Sequence, residues 1–212
     1  MKKILMIFYI SLIVFACDKP KKSQASEQDN ARQELTWHDI YYKKAEAAKG
    51  WKFIIIHHSA TSFGSAKAFH KYHKKMGYGG LAYHFVIGNG RGAGNGEVQV
   101  GFRWKYQIAG THATVNAWYH NVFGIGICLV GNFQKYRPTG KQIKAVIKLV
   151  RKLSRMYNIS YKNVMGHGDI PHGELLYENG EISFSPNGKR ERRVCPGRYF
   201  PMKYVKRIAF KR

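Results

Sequence analysis

The stretch Trp51 to His58, WKFIIIHH, constrains this chain more than any other part of it. It is continuously apolar, carries three successive β-branched residues, and shows no polar alternation. A strand of that kind is covered on both faces, so it belongs inside a sheet with helices on either side. The rest of the chain fits that arrangement. A helix is predicted over Ser65 to Met76, stopping at Gly77, with a second strand over Leu81 to Ile87 and a third over Gly96 to Val100. Phe123 to Val130, FGIGICLV, reads as a fourth apolar strand whose glycines mark places where another group comes close. Thr139 to about Tyr157 is the clearest helix. Thr139 and Gln142 have capping-box spacing, and Ile143, Val146, Ile147, Val150 and Leu153 recur at helical intervals. A short strand at Asn163 to Gly166 and a closing helix over Phe200 to Phe210 complete the pattern. Strands alternating with helices predict one α/β domain with a central mixed sheet flanked by helices.

The front of the chain reads as an address. Lys2 and Lys3 precede an apolar run from Ile4 to Ala16, which suits a signal peptide and falls short of the roughly 20 residues that span a bilayer. The run ends Val14-Phe15-Ala16-Cys17, which resembles the lipobox of bacterial lipoproteins, where the cysteine is lipidated and becomes the new N-terminus. An ordinary secretory leader with a chance cysteine is the alternative. The expected organisation is a signal peptide over 1–16, a lipidated Cys17 and polar tether over 17–35, and a folded domain over 36–212. The expected location is a bacterial envelope, with the chain held on a membrane by acyl chains and facing the periplasm or exterior.

Charge bears on partners. The 36 Lys and Arg against 12 Asp and Glu give a formal +24, which suits nucleic acid, anionic lipid heads or an acidic wall polymer. The leader argues against nucleic acid as a specific partner. Three cysteines, Cys17, Cys128 and Cys195, form no disulfide framework.

Candidate chemistry gathers where open α/β sheets place their sites, at strand ends. His57 and His58 close the first strand, and successive side chains on a strand point to opposite faces, so at most one of them faces a given cleft. Tyr83 and His84 pose the same question on the next strand. His167 follows the short strand, with Asp169 two residues on, and Cys195 lies in a Val-Cys-Pro-Gly loop. A thiolate with two imidazoles is a reasonable zinc set that leaves the fourth tetrahedral position for water; a core thiol with satisfied histidines is the competing reading. His70 and His73, on the lysine-rich helix, read as solvated, and His38 and His120 have no evident context.

The motifs then fall into a known order. Ile56-His57-His58-Ser59-Ala60-Thr61 resembles the entry motif of the N-acetylmuramoyl-L-alanine amidases, zinc amidases related to phage lysozyme amidases and animal peptidoglycan recognition proteins. Ala82-Tyr83-His84-Phe85-Val86-Ile87 resembles the family's tyrosine strand, and Gly110-Thr111-His112-Ala113 its Gly-x-His-Ala loop. Ile125 to Phe133 is similar to the central strand, while Gly166-His167-Gly168-Asp169 and Cys195-Pro196-Gly197 match the last motifs.

The resemblance implies hydrolysis of the amide between the muramic acid lactyl group and L-alanine of peptidoglycan. It implies one zinc ion per chain, held by His57, His167 and Cys195, in a protein expected to be monomeric. It places Tyr83 beside the metal-bound water and His112 along the substrate groove. Asp169 is expected either to orient His167 or to serve a turn. One family branch uses a central-strand glutamate as general base; Cys128 stands there, which implies the tyrosine-dependent branch and leaves Cys128 as a small buried hydrophobe. Two departures stand out. Relatives often carry lysine or threonine two residues before the ligand cysteine; Arg193 can stabilise an oxyanion but cannot relay a proton, or is a solvated charge. The segment 171–193 is an insertion with a hairpin signal at Asn179-Gly180, either walling the groove or forming inert surface. The rival function is a peptidoglycan receptor without catalysis; retention of His57, Tyr83, His167 and Cys195 together favours the enzyme.

Overall fold

The computed structural model describes residues 50–178, 181–191 and 193–211. The leader, Cys17, His38 and the tether therefore lie outside the described residues, as does the Asn179-Gly180 turn. Among the described residues no helix is long and apolar enough to cross a membrane.

Among the described residues five strands form the main sheet: β1 (Phe53–His58), β2 (Phe85–Ile87), β3 (Val98–Val100), β4 (Gly124–Leu129) and β5 (Val164–Gly166), in the order β3-β2-β4-β1-β5. β1 runs parallel to β4 and β5, β2 runs parallel to β4, and only β3 is antiparallel. The helices are α1 (Ala66–Lys75), α2 (Phe102–Lys105), α3 (Trp118–Val122), α4 (Gly140–Met156) and α5 (Met202–Ala209). A separate two-stranded sheet pairs β6 (Pro171–Glu178) with β7 (Glu181–Arg190), so the predicted hairpin is present as two antiparallel strands.

The continuity of the β1 run has a direct cause. Ile54 and Ile56 turn toward Val146, Val150 and Leu153 of α4 and Val205 of α5, while Ile55 turns toward Ala117 and Ile170. Both faces are covered, so neither can be polar. α4 begins as its sequence predicts. Thr139 Oγ1 accepts from Gln142 N at 3.1 Å and Gln142 Oε1 accepts from Thr139 N at 3.1 Å. Gln142 then donates its amide to Val130 O at 2.8 Å, fixing the helix start to the end of β4.

The second strand is shorter than predicted: only Phe85 to Ile87 pair, and Leu81 to His84 form an irregular segment. The reason is buried Arg103 on α2. It donates to Leu81 O at 2.7 Å, Ala109 O at 2.6 Å and Tyr78 O at 2.8 Å, so the carbonyl that would open the predicted strand is held by a side chain instead of a ladder. The opposite-face argument for Tyr83 and His84 consequently lacks its premise, although the two side chains still diverge.

Candidate metal centre

The site lies at the C-terminal ends of the parallel strands β1 and β5. On β1 the two histidines separate as a pleated strand requires. His58 joins the α4 face, where its Nδ1 accepts from Phe133 N at 3.0 Å, and His57 faces the opposite side. There the His57 ring meets His167 at 4.6 Å, His112 at 5.0 Å and Tyr83 at 5.1 Å between centroids. His167 opens a single helical turn directly after β5. Cys195 is held by its loop: its Sγ accepts from His58 N at 3.3 Å and its carbonyl accepts from Gly168 N at 2.8 Å. A Cβ at Gly168 would sit 2.1 Å from Arg193 O, so this approach needs glycine after the histidine. One ligand atom each from His57, His167 and Cys195 lies within 4.8 Å of the others.

Hydrogen bonds settle which His57 nitrogen is available. Gly124 O can only accept, so His112 places its proton on Nε2 and donates there at 3.1 Å. His112 Nδ1 is then a bare acceptor for His57 Nε2–H at 3.2 Å. That leaves the His57 Nδ1 lone pair, which faces Cys195 Sγ at 3.8 Å. His112 is buried, and by accepting from His57 Nε2 it orients the imidazole of a candidate ligand. Gly110 and Gly126 make room for it, since a Cβ on either would come within 2.2 Å and 2.5 Å of its ring. The sequence expectation of close approach at the β4 glycines is met here.

Burial lowers the His57 pKa well below its ordinary value, with His167 adding to the effect, and burial brings His167 to about 4. Burial also raises the Cys195 thiol to about 12. Burial outweighs the opposing influence of Arg193 on the thiol, and neutral imidazole lone pairs beside it form a donor set that fits a borderline-soft divalent ion such as zinc, which binds the thiolate.

The remaining residues are distributed differently from expectation. Tyr83 is half-buried beside His57 and near Cys128; burial raises its phenol well above the ordinary value, so it keeps its proton. Cys128 is fully buried, as its hydrophobic reading required, yet it also contacts a site residue. Asp169 is exposed and its charge acts on Lys206. The carboxylate beside His167 is instead Glu191, at 4.0 Å from Nε2. Arg193 is 60% exposed, with Nε 3.9 Å from Glu191, and lines an open groove with Arg190, Gly168 and Cys195. His70 and His73 are not merely solvated: their Nδ1 atoms accept from Leu81 N at 3.3 Å and Ala82 N at 3.1 Å. His120 is buried against Phe53 and Phe184. Glu191 and Arg103 escape a reading of the sequence: Glu191 lies in the charged run Lys189 to Arg193, and Arg103 has no motif around it. The signal for Arg103 was its apolar and aromatic surroundings, Phe102 and Trp104.

Comparison with known proteins bears on family and fold. The family model for N-acetylmuramoyl-L-alanine amidases matches residues 47–198, which spans every strand and all three candidate ligands. A peptidoglycan recognition protein of Trichoplusia ni is 27% identical over 133 residues, 58% of this chain and 67% of that protein. The solved N-acetylmuramoyl-L-alanine amidase LysC of Clostridium intestinale superposes with a TM-score of 0.57 at 25% identity, covering 75% of this chain and 85% of LysC. Bumblebee PGRP-SA shares the fold, with a TM-score of 0.51 at 21% identity over 76% of this chain and 86% of that one.

Proposed function

This chain belongs to the N-acetylmuramoyl-L-alanine amidase family, and from that premise we propose that it is a zinc-dependent hydrolase of peptidoglycan. It cleaves the amide between the muramic acid lactyl group and the L-alanine of the stem peptide. The observation that carries this reading is the meeting of His57, His167 and Cys195 within 4.8 Å, with the His57 Nδ1 lone pair turned toward the thiol. A zinc ion held there supplies Lewis acidity for the scissile carbonyl and lowers the pKa of a water molecule.

The chain's own residues supply the rest. The Gly124–His112–His57 relay holds one imidazole in a single tautomer and orientation. The protonated Tyr83 phenol donates a hydrogen bond toward the oxygen on which negative charge develops during attack, where a fixed donor stabilises the transition state more than the ground state. Arg193 is exposed beside the groove and is available to a negatively charged part of the substrate. The leader sequence supports export and lipidation at Cys17, which would hold the enzyme at a membrane surface next to its substrate.

Peptidoglycan recognition without cleavage is the second reading, favoured by the likeness to a recognition protein. Product analysis separates the two. Purified chain incubated with peptidoglycan should release stem peptides with a free L-alanine N-terminus, detected by mass spectrometry. Release should stop with a chelator or with Cys195→Ala and return with zinc in the wild type alone. Wall that is bound but left uncut under every metal condition would establish the receptor.

A further inference from the structure

Between the ligands His167 and Cys195 the chain makes an excursion through β6 and β7 and returns to its starting point. Glu191, directly after β7, donates its backbone N–H to Ile170 O at 2.8 Å, so the insertion closes on itself three residues past His167. Farther out, Phe184 of β7 stacks on Tyr119 at 5.2 Å and 12°, which fastens the hairpin to α3. An insertion that leaves and returns at one point adds residues without displacing the ligands on either side.

The Glu191 side chain does not stay with the hairpin. It is 4% exposed and points into the protein behind His167. Oε1 accepts from Thr114 N at 3.0 Å and from the Thr114 hydroxyl, and lies 4.0 Å from His167 Nε2. Oε2 lies 3.8 Å from His172 Nε2 and 3.9 Å from Arg193 Nε. A carboxylate enclosed in this way is costly unless donors and positive charge compensate it. Thr114 supplies fixed donors, so the carboxylate has one position, and His167 Nε2 is an enclosed ring nitrogen with no hydrogen-bond partner of its own.

We propose that Glu191 is a positioning residue for the metal centre: it holds the proton of His167 on Nε2 and so presents Nδ1 as the ligand nitrogen. The inference rests on the reading of His167 as a zinc ligand. It gives His167 an electrostatic counterpart of what His112 does for His57 through a hydrogen bond: a fixed carboxylate 4.0 Å from Nε2 that favours the proton there. It also gives the insertion a role, since the carboxylate is delivered by the residue that closes the hairpin. His172, on the other oxygen of the same carboxylate, shares its negative charge.

Two measurements on the full chain and its Glu191→Gln variant test this. Glutamine keeps the size and an oxygen for Thr114 but removes the charge. Imidazole nitrogen NMR of the zinc-free wild type should show His167 as the Nε2–H tautomer, and the variant should lose that preference. Zinc affinity, by competition with a chromogenic chelator, should fall about 10- to 100-fold in the variant. A merely structural role would lower the thermal stability of the zinc-free variant and leave the tautomer alone. Unchanged zinc affinity, or a wild-type His167 protonated on Nδ1, overturns the proposal. A wild type that takes up no zinc would refute the hydrolase reading, while the tautomer measurement would still decide the role of Glu191.

Discussion

His84 offers a test of how the site is supported from behind. Its ring is fully buried, with Nδ1 accepting from Gly126 N at 2.9 Å and Nε2 donating to Ile108 O at 3.0 Å. Those bonds require the neutral Nε2–H form, because a proton on Nδ1 would face the Gly126 N–H. Burial lowers its pKa from 6.5 to about 3, and Arg103 adds to the effect; Trp51, Trp104 and His112 form the surrounding ring contacts. The unfolded chain therefore binds a proton that the folded chain refuses, and this contribution to stability is lost as pH falls from 6.5 toward 3. At pH 5 the unfolded imidazole is almost wholly protonated and the folded one almost wholly neutral. The linked loss relative to high pH is about 2 kcal/mol, and it stays near that value for any folded pKa below about 4. His84→Gln keeps an acceptor for Gly126 and a donor for Ile108 without a titrating group. Urea unfolding at pH 8 and pH 5 should show wild type losing about 2 kcal/mol more than the variant between the two conditions. Equal losses, or a His84 resonance titrating near 6.5 in the folded chain, would refute the reasoning.

Other consequences concern the centre itself. His112→Phe removes the acceptor for His57 Nε2–H and should weaken zinc binding about 10- to 100-fold, or about 1.4–2.7 kcal/mol, by chelator competition; undiminished affinity would count against the relay. Tyr83→Phe should leave zinc content unchanged and lower kcat on the order of 100-fold or more with little change in KM; full activity would remove Tyr83 from the mechanism. Gly126→Ala drives a methyl to within 2.5 Å of the His112 ring, so thermal denaturation should reveal a loss of about 1–3 kcal/mol, with zinc affinity reduced alongside; a variant as stable as wild type would show that His112 can move aside freely.

The parts of the fold visible in the sequence are those whose cause is local. β1 and β4 declare themselves because burial on both faces leaves an unbroken apolar run, and α4 because its cap and its apolar stripe are contiguous. The separation of His57 from His58 followed from strand pleating alone. What stayed hidden depends on partners distant in the chain. The irregular path of Leu81 to His84 is imposed by a guanidinium about 20 residues on. Glu191 meets Thr114 across 77 residues. His112 has a groove-facing motif but a β4 carbonyl as its partner. His70 and His73 satisfy backbone N–H groups of a loop whose path no periodicity reveals. The candidate ligands were nominated by order of motifs, and only the folded chain brings the three together.

The central claim is tested most directly by titrating zinc into the metal-free chain while following release of L-alanine-terminated stem peptides. Activity should be absent at the start, rise in proportion to zinc, and level off at one equivalent per chain, with Cys195→Ala inactive throughout. Hydrolysis that proceeds without metal, or zinc uptake to one equivalent with peptidoglycan bound and no peptide released, would contradict it.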